Sequence, residues 1–127
     1  MPKQFINPET MSKGGRSSQV VKSGNTIYIS GQVSSDESGK IVGEGDPEAQ
    51  ARQIYKNINE ALKAVGSTMS DIVKTTIYVT HRDYFQAVGK VRQEIWKENP
   101  PANTALVISG LVNPSYLIEV EAVAVIE

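Results

Sequence analysis

Side chains able to do chemistry are sparse in this 127-residue chain, and what is missing narrows the options first. There is no cysteine, so disulfides, thiolate nucleophiles and cysteine-based zinc or iron-sulfur sites are excluded, since each needs sulfur as ligand or attacking atom. The single histidine, His81, has neither a cysteine nor a second histidine to share a metal, and its place between a strand and a helix reads as an exposed cap or loop residue. No metal site and no cofactor are expected. Thirteen basic against fourteen acidic residues leave a formal charge of -1 with no basic stripe, so the footprint of a nucleic-acid binder is missing. Tyr28, Tyr78 and Tyr116 fit a pocket or a core equally well by spacing, and Trp96 reads as core or interface packing.

The elements that must carry these residues follow from periodicity. Gln19–Lys22 and Thr26–Ser30 form a hairpin across the turn Ser23-Gly24-Asn25. Asp46 as cap, Pro47 at the first helical position and Glu48 near the positive dipole end start a helix. Its apolar stripe through Ala51, Ile54, Ile58, Ala61, Leu62 and Val65 stops at Gly66. The β-branched run Ile72–Thr80 is a central strand, a second helix spans about Asp83 to Glu98 until Asn99-Pro100-Pro101 ends it, and Thr104–Ile108 and Leu117–Ile126 are the last strands. That order predicts one α+β domain over residues 1–127: a two-layer sandwich of a mixed sheet with two helices on one face.

The last strand adds a constraint. Leu117, Val123 and Val125 share one parity with Glu119 and Glu121, while Ile118, Val120, Ala122, Ala124 and Ile126 occupy the other, so both faces are substantially apolar. One chain has only enough helices for one face, which predicts self-association. The N-terminus is polar and broken by prolines, without the apolar core of a secretory signal, and no run approaches the ~20 apolar residues of a membrane span. A cytoplasmic location without membrane contact is expected.

Ile29-Ser30-Gly31-Gln32, the Gln50-to-Gly66 helix, Asp71–Val79, Pro101-Ala102 and Ile118–Ala124 together resemble the reactive intermediate deaminase (Rid) family, also called the YjgF or L-PSP endoribonuclease family, over about residues 15 to 126. The resemblance implies a chorismate-mutase-like fold and a homotrimer whose sheets form an inner barrel with small-molecule pockets between subunits. It also implies hydrolysis of an enamine-derived imine to a 2-keto acid and ammonia without metal or coenzyme. In active members the arginine of a Pro-Ala-Arg motif grips the substrate carboxylate through its rigid fork, and a glutamate on the last strand positions water.

Carried over residue by residue, the arginine falls on Asn103, a frequent cysteine on Ala105, an N-terminal aromatic on Ser17 and a helix asparagine on Gly89; the glutamate is matched to Glu121. Ser30 and Gly31 shape a turn beside the pocket, where Gly31 lets backbone approach a ligand. Arg16 and Arg92 are candidates to return the lost positive charge. Three functions follow: a Rid-type hydrolase with substrate choice altered at Asn103, a non-catalytic trimeric metabolite-binding module, and an RNA-cleaving translation inhibitor, the last disfavoured by the charge balance.

Overall fold

The computed structural model describes residues 2–127. All six strands join one sheet, in the order β1-β2-β3-β6-β4-β5. They are β1 (Gln4–Ile6), β2 (Val20–Ser23), β3 (Thr26–Gln32), β4 (Ile72–Val79), β5 (Ala102–Val107) and β6 (Ile118–Val125), with helices α1 (Pro47–Lys63) and α2 (Phe85–Ile95). Every pairing is antiparallel except β4 with β5, whose parallel crossover contains α2. The mixed sheet with its two helices is the α+β sandwich that the periodicity predicts.

α1 starts where the capping residues predict: the Asp46 side chain accepts a hydrogen bond from the Ala49 amide at 3.1 Å, and Pro47 occupies the first turn. Its stripe of Ala51, Ile54, Ile58, Ala61 and Leu62 is wholly buried against Ile27 and Ile29 of β3 and the even residues of β6, Ile118, Val120, Ala122 and Ala124. A buried Leu or Ile side chain gains roughly 1.5–3 kcal/mol over an exposed one, so this one face supplies much of the core. Val88 and Val91 of α2 are buried too. On the solvent side Arg52 bridges Glu48 and Glu94, and Lys90 reaches Glu48, an exposed network joining the two helices. Pairs as exposed as these contribute little individually, about 0–1 kcal/mol.

Gln50 fastens the site-bearing strand to this layer. Fully buried on α1, it donates to the carbonyls of Gly43 (3.1 Å) and Ser115 (2.9 Å) and accepts from the Leu117 amide (2.9 Å), fixing the entry to β6. Asn57 does the same for the segment after β3, donating to the carbonyls of Val33 and Ser35.

The structure departs from the periodicity in four places. β1 lies in a segment read only as polar and proline-broken, because three residues with Phe5 two-thirds exposed carry no alternation. β3 continues through Gly31 to Gln32, past the predicted end at Ser30, because it pairs with β6 beyond a bulge. β5 begins at Ala102, two residues early, so Asn103 is a strand residue opposite Thr75. α2 is shorter than predicted: a separate 3-10 turn, Arg82–Tyr84, precedes it, and Trp96 closes it before Asn99 takes a left-handed conformation at φ 52°.

The odd residues of β6 face away from the helices; Glu119, Val123 and Val125 are partly buried and Glu121 is exposed. Tyr28 lies beside them opposite Val123, half-exposed. Every residue of the edge strand β5 is exposed, Leu106 and Val107 included.

Candidate functional site

The first group of chemical residues is built by a bulge. Between the pairs Ile29–Ala122 and Gln32–Val120, β3 has two residues, Ser30 and Gly31, where β6 has one, Glu121. The extra residue turns β3 so that Gly31 backs directly onto the Glu119 carboxylate; a Cβ at position 31 would fall on that group. Glycine suits this close approach, since a Cβ here would have to push aside the flexible end of the Glu119 side chain.

Ser30 spends its hydroxyl on structure, donating to the Ser18 carbonyl at 2.6 Å while its amide donates to the Gln19 carbonyl at 3.0 Å. Gln32 donates to the Gln19 side chain at 2.7 Å, and Gln19 donates to the Ser12 carbonyl at 2.7 Å. These bonds hold the glycine-rich approach to β2 beside the bulge. Arg16, Ser17, Ser30, Gly31 and Val112 thereby line one recess of about 460 Å³. Val112 is 91% exposed, an apolar side chain left at the rim.

Glu119 and Glu121 point to the same face of β6 but have different surroundings. Burial, with the Glu121 charge as a second cause, holds the Glu119 carboxyl above its ordinary value of 4.5. Glu121 accepts a hydrogen bond from the Tyr78 hydroxyl at 2.5 Å, and that bond first, then burial, pushes the Tyr78 phenol up, so Tyr78 stays a donor. The family resemblance matches its glutamate to Glu121, whereas the residue against Gly31 is Glu119. Both have the same parity, so alternation could not separate them, and the distinguishing register comes from the bulge on another strand.

The second group lies on the far edge of the sheet. Asn103 is paired in register with Thr75 of β4, and α2 crosses above them. Arg92 donates to the Thr75 hydroxyl at 2.9 Å and to the Tyr55 hydroxyl at 3.3 Å, and Thr75 donates to Asn103 Oδ1 at 2.8 Å. The Arg92 guanidinium also lies over the Trp96 ring, 5.0 Å from its centroid, and Trp96 meets Tyr55 edge-on at 5.9 Å. Trp96 is buried, its indole N–H donating to the Met69 carbonyl, so it packs the core. Ala105 follows Asn103 on the same face of β5, and Gly89 precedes Arg92 by one helical turn, with open space where its side chain would be.

Of the residues singled out in the sequence, Arg16, Ser17, Ser30 and Gly31 share the first group, Asn103 and Arg92 the second with Gly89 and Ala105 flanking, and Glu121 belongs to neither. Tyr28 lies on the uncovered sheet face, and His81 caps the turn before α2, its Nδ1 accepting from the Asp83 amide at 3.1 Å. The two groups stand on β3 and β5, three strand spacings apart, or about 14 Å.

Residues 9–126 match the family model described as endoribonuclease L-PSP. A human 2-iminobutanoate/2-iminopropanoate deaminase is 40% identical over 112 residues, which cover 87% of this chain and 80% of that protein. A RutC family protein of Pyrococcus horikoshii is 38% identical over 124 residues, 96% and 97% of the two chains. Among solved structures, a Rid family protein of unknown function from Yersinia pestis superposes with a TM-score of 0.92 at 31% identity, covering 98% of this chain and all of that one. The YjgF gene product of E. coli gives 0.87 at 31% identity, covering 96% and 98%. The described residues include no helix long and apolar enough to cross a membrane. With the model match spanning nearly the whole chain and both solved relatives sharing its sheet and helices, the chain belongs to the endoribonuclease L-PSP family, the Rid family of its structural neighbours, and carries asparagine in its Pro101-Ala102-Asn103 motif.

Proposed function

We propose that this protein is a Rid-type deaminase that hydrolyses the imine of a small 2-imino acid, with Glu119 as the group that handles protons. The observation carrying this reading is the bulge that seats a partly buried carboxylate on Gly31, its pKa raised by burial. A base needs a pKa drawn toward the working pH, and desolvation moves Glu119 that way. The deaminase names of 38–40% identical mammalian relatives support the same reaction class.

In this reaction the Glu119 carboxylate accepts a proton from water as the water oxygen bonds to the imine carbon. The C=N π pair moves to nitrogen, which takes up a proton, and a carbinolamine results. Glu119 then returns its proton to the amine nitrogen; the C–N bond breaks as the carbinolamine hydroxyl releases its proton to solvent, replacing the one nitrogen took up, and ammonia and a 2-keto acid leave. Water is the only co-reactant, and the carboxylate is regenerated.

The site is completed in this reading by a second copy of the chain. Gly31 on β3 is three strand spacings, about 14 Å, from Asn103 on β5, and Glu119 on β6 is two, about 10 Å, so one molecule does not bring these groups together on one small acid. The uncovered sheet face with Tyr28, Val123 and Val125 and the exposed strand β5 provide surfaces for association, and a homotrimer would bring β5 of one subunit to the bulge of the next. The neutral Asn103 favours a second reading, a trimer that binds a metabolite without turning it over.

The test generates 2-iminobutanoate in situ with an amino-acid deaminating enzyme and follows 2-oxobutanoate formation with this protein present. Acceleration is expected. Glu119→Gln should reduce it by about 10²–10³, the usual worth of a positioned general base, while Glu121→Gln stays within about tenfold of the parent. No acceleration by the parent protein would leave only the binding reading, and equal losses from the two variants would remove Glu119 from its role.

A further inference from the structure

The geometry points to a second-generation anion seat in this chain: the unpaired guanidinium of Arg92 and the amide NH2 of Asn103, aligned through Thr75, receive a carboxylate where the family motif would have its arginine. The hydrogen-bond direction is forced. A guanidinium has donors and no acceptor, so the Thr75 hydroxyl must accept from Arg92, at 2.9 Å. That hydroxyl has one proton, which goes to Asn103 at 2.8 Å, and Asn103 must therefore turn its oxygen inward. Its NH2 group is left facing away from Thr75, with no acceptor among the described residues.

Arg92 is in the same condition. Only Nη1 is engaged, by the neutral hydroxyls of Thr75 and Tyr55, and the guanidinium rests against the Trp96 ring. Among the described residues no carboxylate lies within ion-pair distance of this half-buried cation, whereas the neighbouring Arg52 is bound by both Glu48 and Glu94. A partly desolvated positive charge with free N–H groups, beside an amide with two more, calls for an anionic acceptor. Gly89 and Ala105 leave the space around it open, since an added Cβ at Gly89 meets nothing within 4 Å.

The ligand class is a carboxylate small enough to sit between α2 and β5. A charged acceptor fits better than a neutral one because the positive charge of Arg92 is otherwise unmatched. That this carboxylate is the substrate's rests on the deaminase reading; the seat itself does not.

The probe is 2-oxobutanoate, with 2-butanone as its counterpart lacking the carboxylate, titrated into the isotope-labelled full chain while the Arg92 Nε and Asn103 side-chain amide NMR signals are followed. Saturable shifts of both signals are expected with 2-oxobutanoate in the millimolar range and none with 2-butanone. Asn103→Asp places a competing negative charge on an exposed position, where the new carboxylate can pair with Arg92, so binding should weaken by about tenfold or more with no loss of melting temperature. Arg92→Lys keeps the charge but loses the fork and should weaken binding several-fold, whereas Arg52→Gln should leave it unchanged. Absent shifts, equal response to 2-butanone, or undiminished binding by Asn103→Asp would overturn the seat. Binding with these features but no turnover would instead count against the deaminase reading alone.

Discussion

Glu119 and Glu121 stand two residues apart on one strand, yet one is pressed against backbone and the other is tied to a phenol. The first difference is visible in titration. The folded chain binds the Glu119 proton more tightly than the unfolded chain does, because burial disfavours the charged form. Its contribution to stability is therefore complete below the ordinary value of 4.5 and is lost as pH rises through the raised folded value. Glu119→Gln should accordingly melt higher than the parent at about pH 7, by roughly a few degrees, and the gap should close near pH 4. In turnover the same shift places the acidic limb of the kcat/KM profile above 4.5, and Glu119→Gln should abolish that limb along with most of the rate.

At the scale of elements, the carboxylate is positioned by contacts outside the site. Gln50 satisfies the Gly43 and Ser115 carbonyls and the Leu117 amide at the threshold of β6. Gln50→Leu keeps the volume but strands those three backbone groups and should cost about 2–4 kcal/mol, read as a lower urea midpoint with an unchanged slope. The elements themselves were legible: Asp46 and Pro47 mark the start of α1, and the β-branched run marks β4, because caps and periodicity are local properties. The bulge was not, since it is a mismatch in count between β3 and β6 and exists only once they pair. Arg92 and Asn103, eleven positions apart, are related in the sequence only as a candidate positive charge and the position that lacks one. Thr75, which joins them, came to notice only through the parallel pairing of β4 with β5 beneath α2.

For the whole molecule, the apolar pattern on both faces of β6 has a counterpart in the open side of the sheet, where Tyr28 is half-exposed beside Val123. The homotrimer offered above would cover that side, and it gives the separation of the two residue groups a genetic meaning. If β3 of one subunit works with β5 of the next, a chain defective at Glu119 and a chain defective at Asn103 are each inactive alone but carry complementary halves. Refolded together in equal amounts, they should regain activity in about one quarter of the sites, the fraction in which both intact halves meet, and mixing without subunit exchange should regain none. An inherited defect in such a protein would then be neither simply recessive nor simply dominant, because its outcome would depend on which half the other allele had kept.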